Sequence, residues 1–157
     1  MKREFVATCY VFSDDKVLLI FHKKLKRWLP PGGHMDPNEL PHEAAIREVL
    51  EETGIEIELM KDEEISILKP HAQSITRPYL CLLEHIPAYG DTPEHKHFDF
   101  IFLGYPVGGK AEANLDETEG MRWFTKEEIC ALDTSRDMFP DTQEILCHLF
   151  THEFATA

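Results

Sequence analysis

Three neighbouring glutamates, Glu48, Glu51 and Glu52, are the side chains in this sequence best suited to chemistry. On a helix, Glu48 and Glu52 lie one turn apart, and two like charges at that spacing cost an isolated helix roughly 0.2–0.5 kcal/mol. A hard divalent cation such as Mg²⁺ prefers oxygen ligands and would offset this repulsion. The spacing therefore favours a cation site, although an acidic helix face that meets only solvent is the commoner origin of such a pattern.

A glycine-containing loop and a helix are the elements that must position these glutamates. Residues 30–33 read Pro-Pro-Gly-Gly, and glycine allows backbone to approach a ligand closely. Helical periodicity then runs over residues 39–53, with Asn38 as the predicted N-cap and Gly54 as the residue that ends the helix. One arc of this helix should pack on the protein body, and the glutamates should lie on the opposite arc. The residues of the packing arc are Ala45, Ile46, Val49, Leu50 and Thr53.

The segment from Gly33 to Ile55 resembles the Nudix box, G-x5-E-x7-R-E-U-x-E-E-x-G-U, in which U is aliphatic. All nine defined positions match: Gly33, Glu39, Arg47, Glu48, Val49, Glu51, Glu52, Gly54 and Ile55. Trp28-Leu29 upstream also looks like the usual approach to the box, whereas Pro30-Pro31 stands where many members have Leu-Pro. Because every defined position matches, a metal site becomes a better explanation of the acidic face than contact with solvent alone.

The resemblance implies a role for each residue of the box. Glu48, Glu51 and Glu52 would bind Mg²⁺ or Mn²⁺, to which the carbonyl oxygen of Gly33 often adds a ligand. Arg47 would orient the glutamates by charge-assisted hydrogen bonds, and Glu39 would support the loop and helix from behind the metal ligands. Family members typically hydrolyse a nucleoside diphosphate linked to another group, with water attacking phosphorus.

The general base stays open, because family members recruit it either from the box or from a later loop. Glu51 and Glu52 are the first candidates, and the downstream candidates are Glu94, Glu117 and Glu119. The bound metal would lower the pKa of the attacking water and offset charge on the phosphoryl oxygens.

The expected activity is that of a metal-dependent pyrophosphohydrolase acting on small nucleotides, either nucleoside triphosphates or nucleoside diphosphate-linked compounds. A non-catalytic nucleotide-sensing module is the alternative, but a sensor does not need the complete acidic set. An isomerase of isoprenoid diphosphates on the same scaffold would need a reactive cysteine. Cys9 and Cys81 lie among apolar residues and are expected in the core, so the sequence does not favour an isomerase.

Composition bounds the class of protein. The chain has 157 residues, 43% of them hydrophobic and 29% charged, which is typical of one soluble domain over residues 1–157. The net charge of −13 argues against a general nucleic-acid binder, and the lack of a long apolar run argues against a membrane protein. Four separated cysteines without a C-x-x-C motif favour reduced core thiols and a cytoplasmic location. A monomer and a homodimer are both compatible with the sequence.

The expected fold class is α/β, an α/β/α sandwich with a mixed sheet, which Nudix proteins share. Strands are predicted over residues 4–12, 16–21, 56–59, 78–86, 98–107 and 122–124. Two further helices are predicted, one that Thr125 caps and that ends near Leu132, and one over residues 142–152.

Substrate recognition should come from segments outside the box. Residues 23–27, the basic run, contain Lys23, Lys24, Lys26 and Arg27 and precede the glycine loop. Contact of Lys24 and Arg27 with substrate phosphates is one interpretation, and a solvated loop is the other.

His95, His97 and Asp99 alternate along a predicted strand and should share one face, at the end of a long loop over residues 87–96. That face is a candidate for binding the substrate's non-reacting part. A zinc site built on His95 and His97 would need a third ligand, which the sequence does not reveal, and solvent-exposed histidines at a strand end are the commoner outcome.

Overall fold

The structure is a computed structural model that describes residues 1–154, and over these residues the chain forms ten strands and three helices. The strands are β1 (Arg3–Ser13), β2 (Lys16–His22), β3 (Trp28–Leu29), β4 (Gly32–His34), β5 (Ile55–Leu59), β6 (Leu68–Lys69), β7 (Ala72–Gln73), β8 (Leu80–Ile86), β9 (His95–Gly109) and β10 (Thr118–Thr125). The helices are α1 (Pro41–Thr53), α2 (Lys126–Cys130) and α3 (Pro140–His152).

A mixed sheet forms the centre of the fold, with the strand order β10-β2-β1-β9-β5. Strand β1 pairs in parallel with β9 and antiparallel with β2. Strand β8 pairs with the opposite edge of the same part of β9, and β5 pairs with the later part of β9. The short strand β4 also pairs with β1, which places Gly33 opposite Ala7 and Gly32 opposite Thr8. The glycine loop is therefore fixed to the central strand of the sheet.

Helices cover both faces of this sheet. Alternate residues of β1 enter two separate cores: Tyr10 and Phe12 pack with α3, whereas Cys9 and Val11 pack with α1. A strand that is apolar on both sides is expected where both faces of a sheet are covered. The predicted α/β class with a mixed sheet and flanking helices is confirmed.

The start of α1 differs from the prediction. The N-cap is Leu40 rather than Asn38, and Pro41 is the first helical residue. Asn38 instead adopts a left-handed conformation, with φ of 66°, in a turn closed by the Glu39 N–H donating to the Asp36 carbonyl oxygen at 3.1 Å. Asparagine tolerates this conformation better than most residues, so the turn uses the residue that the sequence offered as a cap.

The orientation of α1 also corrects the prediction that its glutamates lie opposite the packed face. Glu48 and Glu52 are buried together with Ala44, Ala45 and Val49. Leu50, predicted to pack, is 46% exposed. The helix is rotated because the loop beside it carries two glycines, whose lack of side chains leaves room for carboxylates.

The cysteines depart from the expected core thiols. Cys9 is buried, but Cys81 and Cys130 are exposed, and Cys147 is partly exposed. The Cys130 and Cys147 sulfurs are 4.0 Å apart. Cys81 alternates outward on β8, a strand with one exposed face, so apolar neighbours in sequence did not imply burial. None of the helices within residues 1–154 has the length and apolar character needed to cross a membrane.

Candidate metal and active site

The glycine loop lies directly against the α1 carboxylates. A Cβ atom on Gly33 would lie 2.6 Å from Oε1 of Glu48, and one on Gly32 would lie 2.6 Å from the backbone oxygen of Ala7. Both distances are far below van der Waals contact. The backbone of the neighbouring strand requires glycine at Gly32, whereas a side chain at Gly33 would displace the carboxylate of Glu48.

Glu52 is the most deeply buried member of the acidic cluster, at 5% exposure. Its Oε1 accepts a hydrogen bond of 2.9 Å from the backbone N–H of Gly32. Burial, reinforced by repulsion from Glu48, Glu117 and Glu51, raises the pKa of Glu52 to about 8. Without a cation, Glu52 therefore holds a proton at neutral pH.

Glu48 is buried beside Glu52 but has a cationic partner. Its Oε1 accepts a hydrogen bond of 2.9 Å from Nη1 of Arg47. Burial raises the pKa of Glu48, and the guanidinium of Arg47 opposes that rise. Glu51, the third glutamate, is exposed and accepts a 3.1 Å hydrogen bond from the same Nη1.

Arg47 connects the acidic helix to the loop that precedes it. Its guanidinium donates two hydrogen bonds to Glu39, from Nε to Oε1 at 2.7 Å and from Nη2 to Oε2 at 3.0 Å. Nη2 also donates to the backbone carbonyl of His34 at 3.0 Å. A planar guanidinium satisfies such a forked arrangement, which the single ammonium of lysine does not. The arginine thereby fixes the position of Glu48 relative to the glycine loop.

The donor set fits a hard divalent cation. Carboxylate oxygens of Glu48, Glu51 and Glu52 are the ligands that Mg²⁺ and Mn²⁺ prefer, and Gly33 brings backbone against Glu48. Two buried acids with raised pKa values are costly to ionise unless a positive charge joins them. The chemistry of these carboxylates suits a cation, although among residues 1–154 the oxygens of the three glutamates do not all lie within 4.8 Å of one another.

The three downstream glutamates lie in different surroundings. Glu94 lies 3.2 Å from a ring nitrogen of a histidine of β8, and Glu119 forms an ion pair with a lysine of the basic run. Glu117 faces the acidic cluster, since its charge raises the pKa of both Glu48 and Glu52. The structure therefore brings one downstream base candidate, Glu117, towards the site.

His95, His97 and Asp99 share one face of β9, as the alternation predicts. Nε2 atoms of both histidines lie 3.7 Å from Oε2 of Glu4, and Asp99 accepts a 3.1 Å hydrogen bond from Oγ1 of Thr8. Asp99 is only 5% exposed, and no N–H or hydroxyl group among residues 1–154 donates to its Oδ1. Its carboxyl instead shares a hydrogen bond with the carboxyl of Glu84, which raises the pKa of Glu84 and opposes the rise in the pKa of Asp99.

A second carboxylate, Glu84 of β8, adjoins this face, and the sequence gave no reason to select it. Burial raises the pKa of Glu84, and the nearby charges of Asp99 and Asp141 raise it further. Burial also raises the pKa of Asp99. The signal in the sequence was a lone acid inside the apolar run of β8, which becomes meaningful once β8 is paired with β9.

The basic run lies on the other side of β1, against the segment over residues 114–119. Nζ of Lys23 donates to the carbonyl of Leu115 at 3.1 Å, and Arg27 donates to the carbonyl of Ser135 at 3.2 Å. Lys24 is exposed. The Asn114 N–H, on the same segment, donates to the Glu52 carbonyl at 2.9 Å, so this segment links the basic run to α1.

Comparisons with known proteins agree with this geometry. A relative from Bacillus subtilis (strain 168), named "Putative 8-oxo-dGTP diphosphatase", is 31% identical over 113 residues, which cover 72% of this chain and 60% of the relative. Diphosphoinositol polyphosphate phosphohydrolase 3-alpha of Mus musculus is 45% identical over 53 residues, 31% of this chain and 32% of that protein. The matches thus span less than two thirds of either curated relative's length.

The fold similarity extends over the whole chain. The crystal structure of a NUDIX family hydrolase from Clostridium perfringens superposes with a TM-score of 0.79 at 28% identity, covering 96% of this chain and 98% of the other. A sequence model described as the NUDIX domain matches residues 2–149. Because that match includes nearly every residue of the fold and the complete acidic box, this chain belongs to the NUDIX domain family.

Proposed function

We propose that this protein is a metal-dependent pyrophosphohydrolase that acts on nucleoside triphosphates or on nucleoside diphosphates linked to another group. The main support is the position of Glu48 and Glu52, two buried carboxylates pressed against Gly32 and Gly33. Their raised pKa values show that the metal-free cluster resists ionisation. Such a cluster is well suited to bind a cation that then acts on phosphate.

Glu48, Glu51, Glu52 and the carbonyl of Gly33 would hold Mg²⁺ or Mn²⁺, and a bound ion would lower the pKa of the attacking water and offset phosphoryl charge. Arg47 and Glu39 act as positioning residues, because they fix Glu48 and the glycine loop through the guanidinium hydrogen bonds. Neither residue needs to touch the substrate for this role.

The general base is proposed to be one of the glutamates that lie near the acidic cluster. Glu51 is exposed beside the cluster, and Glu117 approaches it from the segment before β10. Glu94 contacts a histidine of β8, and Glu119 forms an ion pair with a lysine of the basic run. Glu52 keeps its proton at neutral pH until a cation displaces it, which suits a ligand better than a base.

Recognition of the non-reacting part of the substrate is proposed for the face of β9 that carries His95, His97 and Asp99. The imidazoles of His95 and His97 and the carboxyl of Asp99 offer both donors and acceptors, which suits a nucleobase edge or a hydroxyl group. Lys24 and Arg27, at the end of β2, would supply positive charge to a phosphate from the opposite side of β1.

A panel of substrates tests this function. Purified protein is incubated with Mg²⁺ or Mn²⁺ and with canonical nucleoside triphosphates, 8-oxo-dGTP, nucleoside diphosphate sugars and a diphosphoinositol polyphosphate, and released phosphate or pyrophosphate is measured. We expect metal-dependent hydrolysis of at least one compound and no turnover in chelator. Tight binding by calorimetry without hydrolysis of any compound would instead identify a sensing module.

A further inference from the structure

We propose that Glu4, His34 and His97, with His95 beside them, form a second metal site that takes a transition metal ion of the zinc class. The three side chains come from β1, β4 and β9, and their ligand atoms lie within 4.8 Å of one another. This imidazole-rich set differs from the all-oxygen cluster on α1. The two sites should therefore select different ions.

The distances among these atoms suit four-coordinate zinc. Zinc–nitrogen bonds of about 2.0–2.1 Å in a tetrahedral site place neighbouring ligand atoms about 3.3 Å apart. Here the Oε2 of Glu4 lies 2.6 Å from Nε2 of His34 and 3.7 Å from Nε2 of both His95 and His97. The Nε2 atoms of His95 and His97 are 3.1 Å apart. Small side-chain rotations around a central ion would bring the ligand atoms of Glu4, His34 and His97, which all lie within 4.8 Å of one another, to the tetrahedral value. His95 lies outside that set and is close to Glu4 and His97 only.

The surroundings of the histidines orient them for binding a metal. Nδ1 of His95 donates to the carbonyl of Pro93 at 2.9 Å, which leaves Nε2 as the ring atom that faces the cluster. Nδ1 of His97 lies 3.8 Å from a carboxylate oxygen of Glu84. A metal-binding histidine commonly has its second ring nitrogen next to a carbonyl or carboxylate in this way.

The Nε2 atoms of His95 and His97 face each other across 3.1 Å. Because Nδ1 of His95 donates to the Pro93 carbonyl, the Nε2 of His95 is an acceptor, which either the Nε2–H of His97 or a shared metal ion can serve. His95 and His97 side chains are 9% and 17% exposed, so water separates them poorly. His34 is 61% exposed, and it leaves an open path for an ion to enter.

Metal titration of chelator-treated protein tests this site without any substrate. Zn²⁺ binding is measured by calorimetry, and Co²⁺ is used as a probe because its visible spectrum reports tetrahedral coordination. We expect one Zn²⁺ to bind in the presence of excess Mg²⁺, and Co²⁺ to give the tetrahedral spectrum. His34→Ala and His97→Ala should each weaken Zn²⁺ binding by about 100-fold or more, since loss of an outer partner alone costs about 10- to 100-fold.

Two control variants separate this site from the alternatives. His148→Ala removes one member of a histidine pair outside this cluster, in which the rings of His148 and His152 on α3 are tilted by 39° with their centroids 4.4 Å apart. Glu52→Gln disables the carboxylate cluster. Both variants should keep the Zn²⁺ affinity and the Co²⁺ spectrum of the wild type. Unchanged Zn²⁺ affinity in His34→Ala and His97→Ala, or loss of binding in either control, would overturn the proposal, as would a wild type that binds no Zn²⁺.

Discussion

Glu52→Gln is expected to reduce hydrolysis by about 100-fold or more, on the order of 3 kcal/mol in transition-state stabilisation. The change removes an anionic metal ligand while it keeps the shape of the side chain. Folding should survive because glutamine resembles the protonated carboxyl that the metal-free protein holds at neutral pH, and its amide oxygen can still accept the Gly32 N–H. The measurement compares kcat/KM and the thermal unfolding of the two proteins.

A matched control for this substitution is Glu144→Gln, at an exposed position of α3. It makes the same chemical change away from the acidic cluster and should leave both activity and unfolding close to wild type. A Glu52→Gln enzyme that retains more than about a third of wild-type activity would remove Glu52 from the metal site, because loss of a ligand should cost far more.

Arg47→Lys should lower both stability and activity although the positive charge is kept. The guanidinium donates hydrogen bonds to Glu39, Glu48, Glu51 and the His34 carbonyl. The single ammonium nitrogen of lysine cannot donate to all four groups. We expect unfolding to become easier by about 1–3 kcal/mol, because partly buried carboxylates lose partners. Activity should fall by about 10-fold or more through displacement of Glu48, as seen in kcat rather than in KM alone.

Arg136→Lys is the matched control for the arginine. Arg136 also holds a carboxylate with two hydrogen bonds, to Asp137 at 3.0 and 3.2 Å, but its side chain is 75% exposed. Exposed pairs contribute little to stability, so this variant should unfold at the same temperature as wild type. If Arg47→Lys behaved like Arg136→Lys, the guanidinium network would have no special role in positioning the acidic helix.

Much of the secondary structure could be predicted from the sequence because it depends on residues that are close together in the chain. The helical period and Gly54 predicted a helix that the structure contains. The Gly-Gly pair predicted a loop, but the structure places Gly32 and Gly33 in the short strand β4, which pairs with β1. The exact start of α1 could not be predicted from the sequence, because asparagine is favoured both as a helix N-cap and in a left-handed turn. The neighbouring residues decide between these two structures, and here the turn that begins at Asp36 places Asn38 in the left-handed conformation.

The burial of the site depended on contacts that are distant in sequence. Periodicity assigns Glu48 and Glu52 to a polar face, and the space beside Gly32 and Gly33 brings them inward. In the same way, Glu4 and His34 have no recognisable pattern with His97 until β1 pairs with both β4 and β9. Spacing within one helix is visible in a sequence, whereas proximity across a sheet follows from strand order.

Binding of Mg²⁺ to the metal-free protein tests the central claim most directly. The pKa of Glu52 is raised from 4.5 to about 8, so the folded protein holds an extra proton and its free energy of unfolding falls as pH rises through that range. Mg²⁺ should reverse this loss by replacing the proton. At pH of about 7, calorimetry in buffers of different ionisation enthalpy should show proton release on binding, and saturating Mg²⁺ should raise the melting temperature.

Glu52→Gln should lose both the proton release and most of the rise in melting temperature, since glutamine has no proton to exchange at this position. Mg²⁺ is the appropriate ion because it does not favour imidazole ligands, so the histidine cluster does not contribute to the signal. The account predicts a clear difference between the two proteins in the same buffers. Equal melting temperatures in chelator and in saturating Mg²⁺, or identical proton release in wild type and Glu52→Gln, would contradict it.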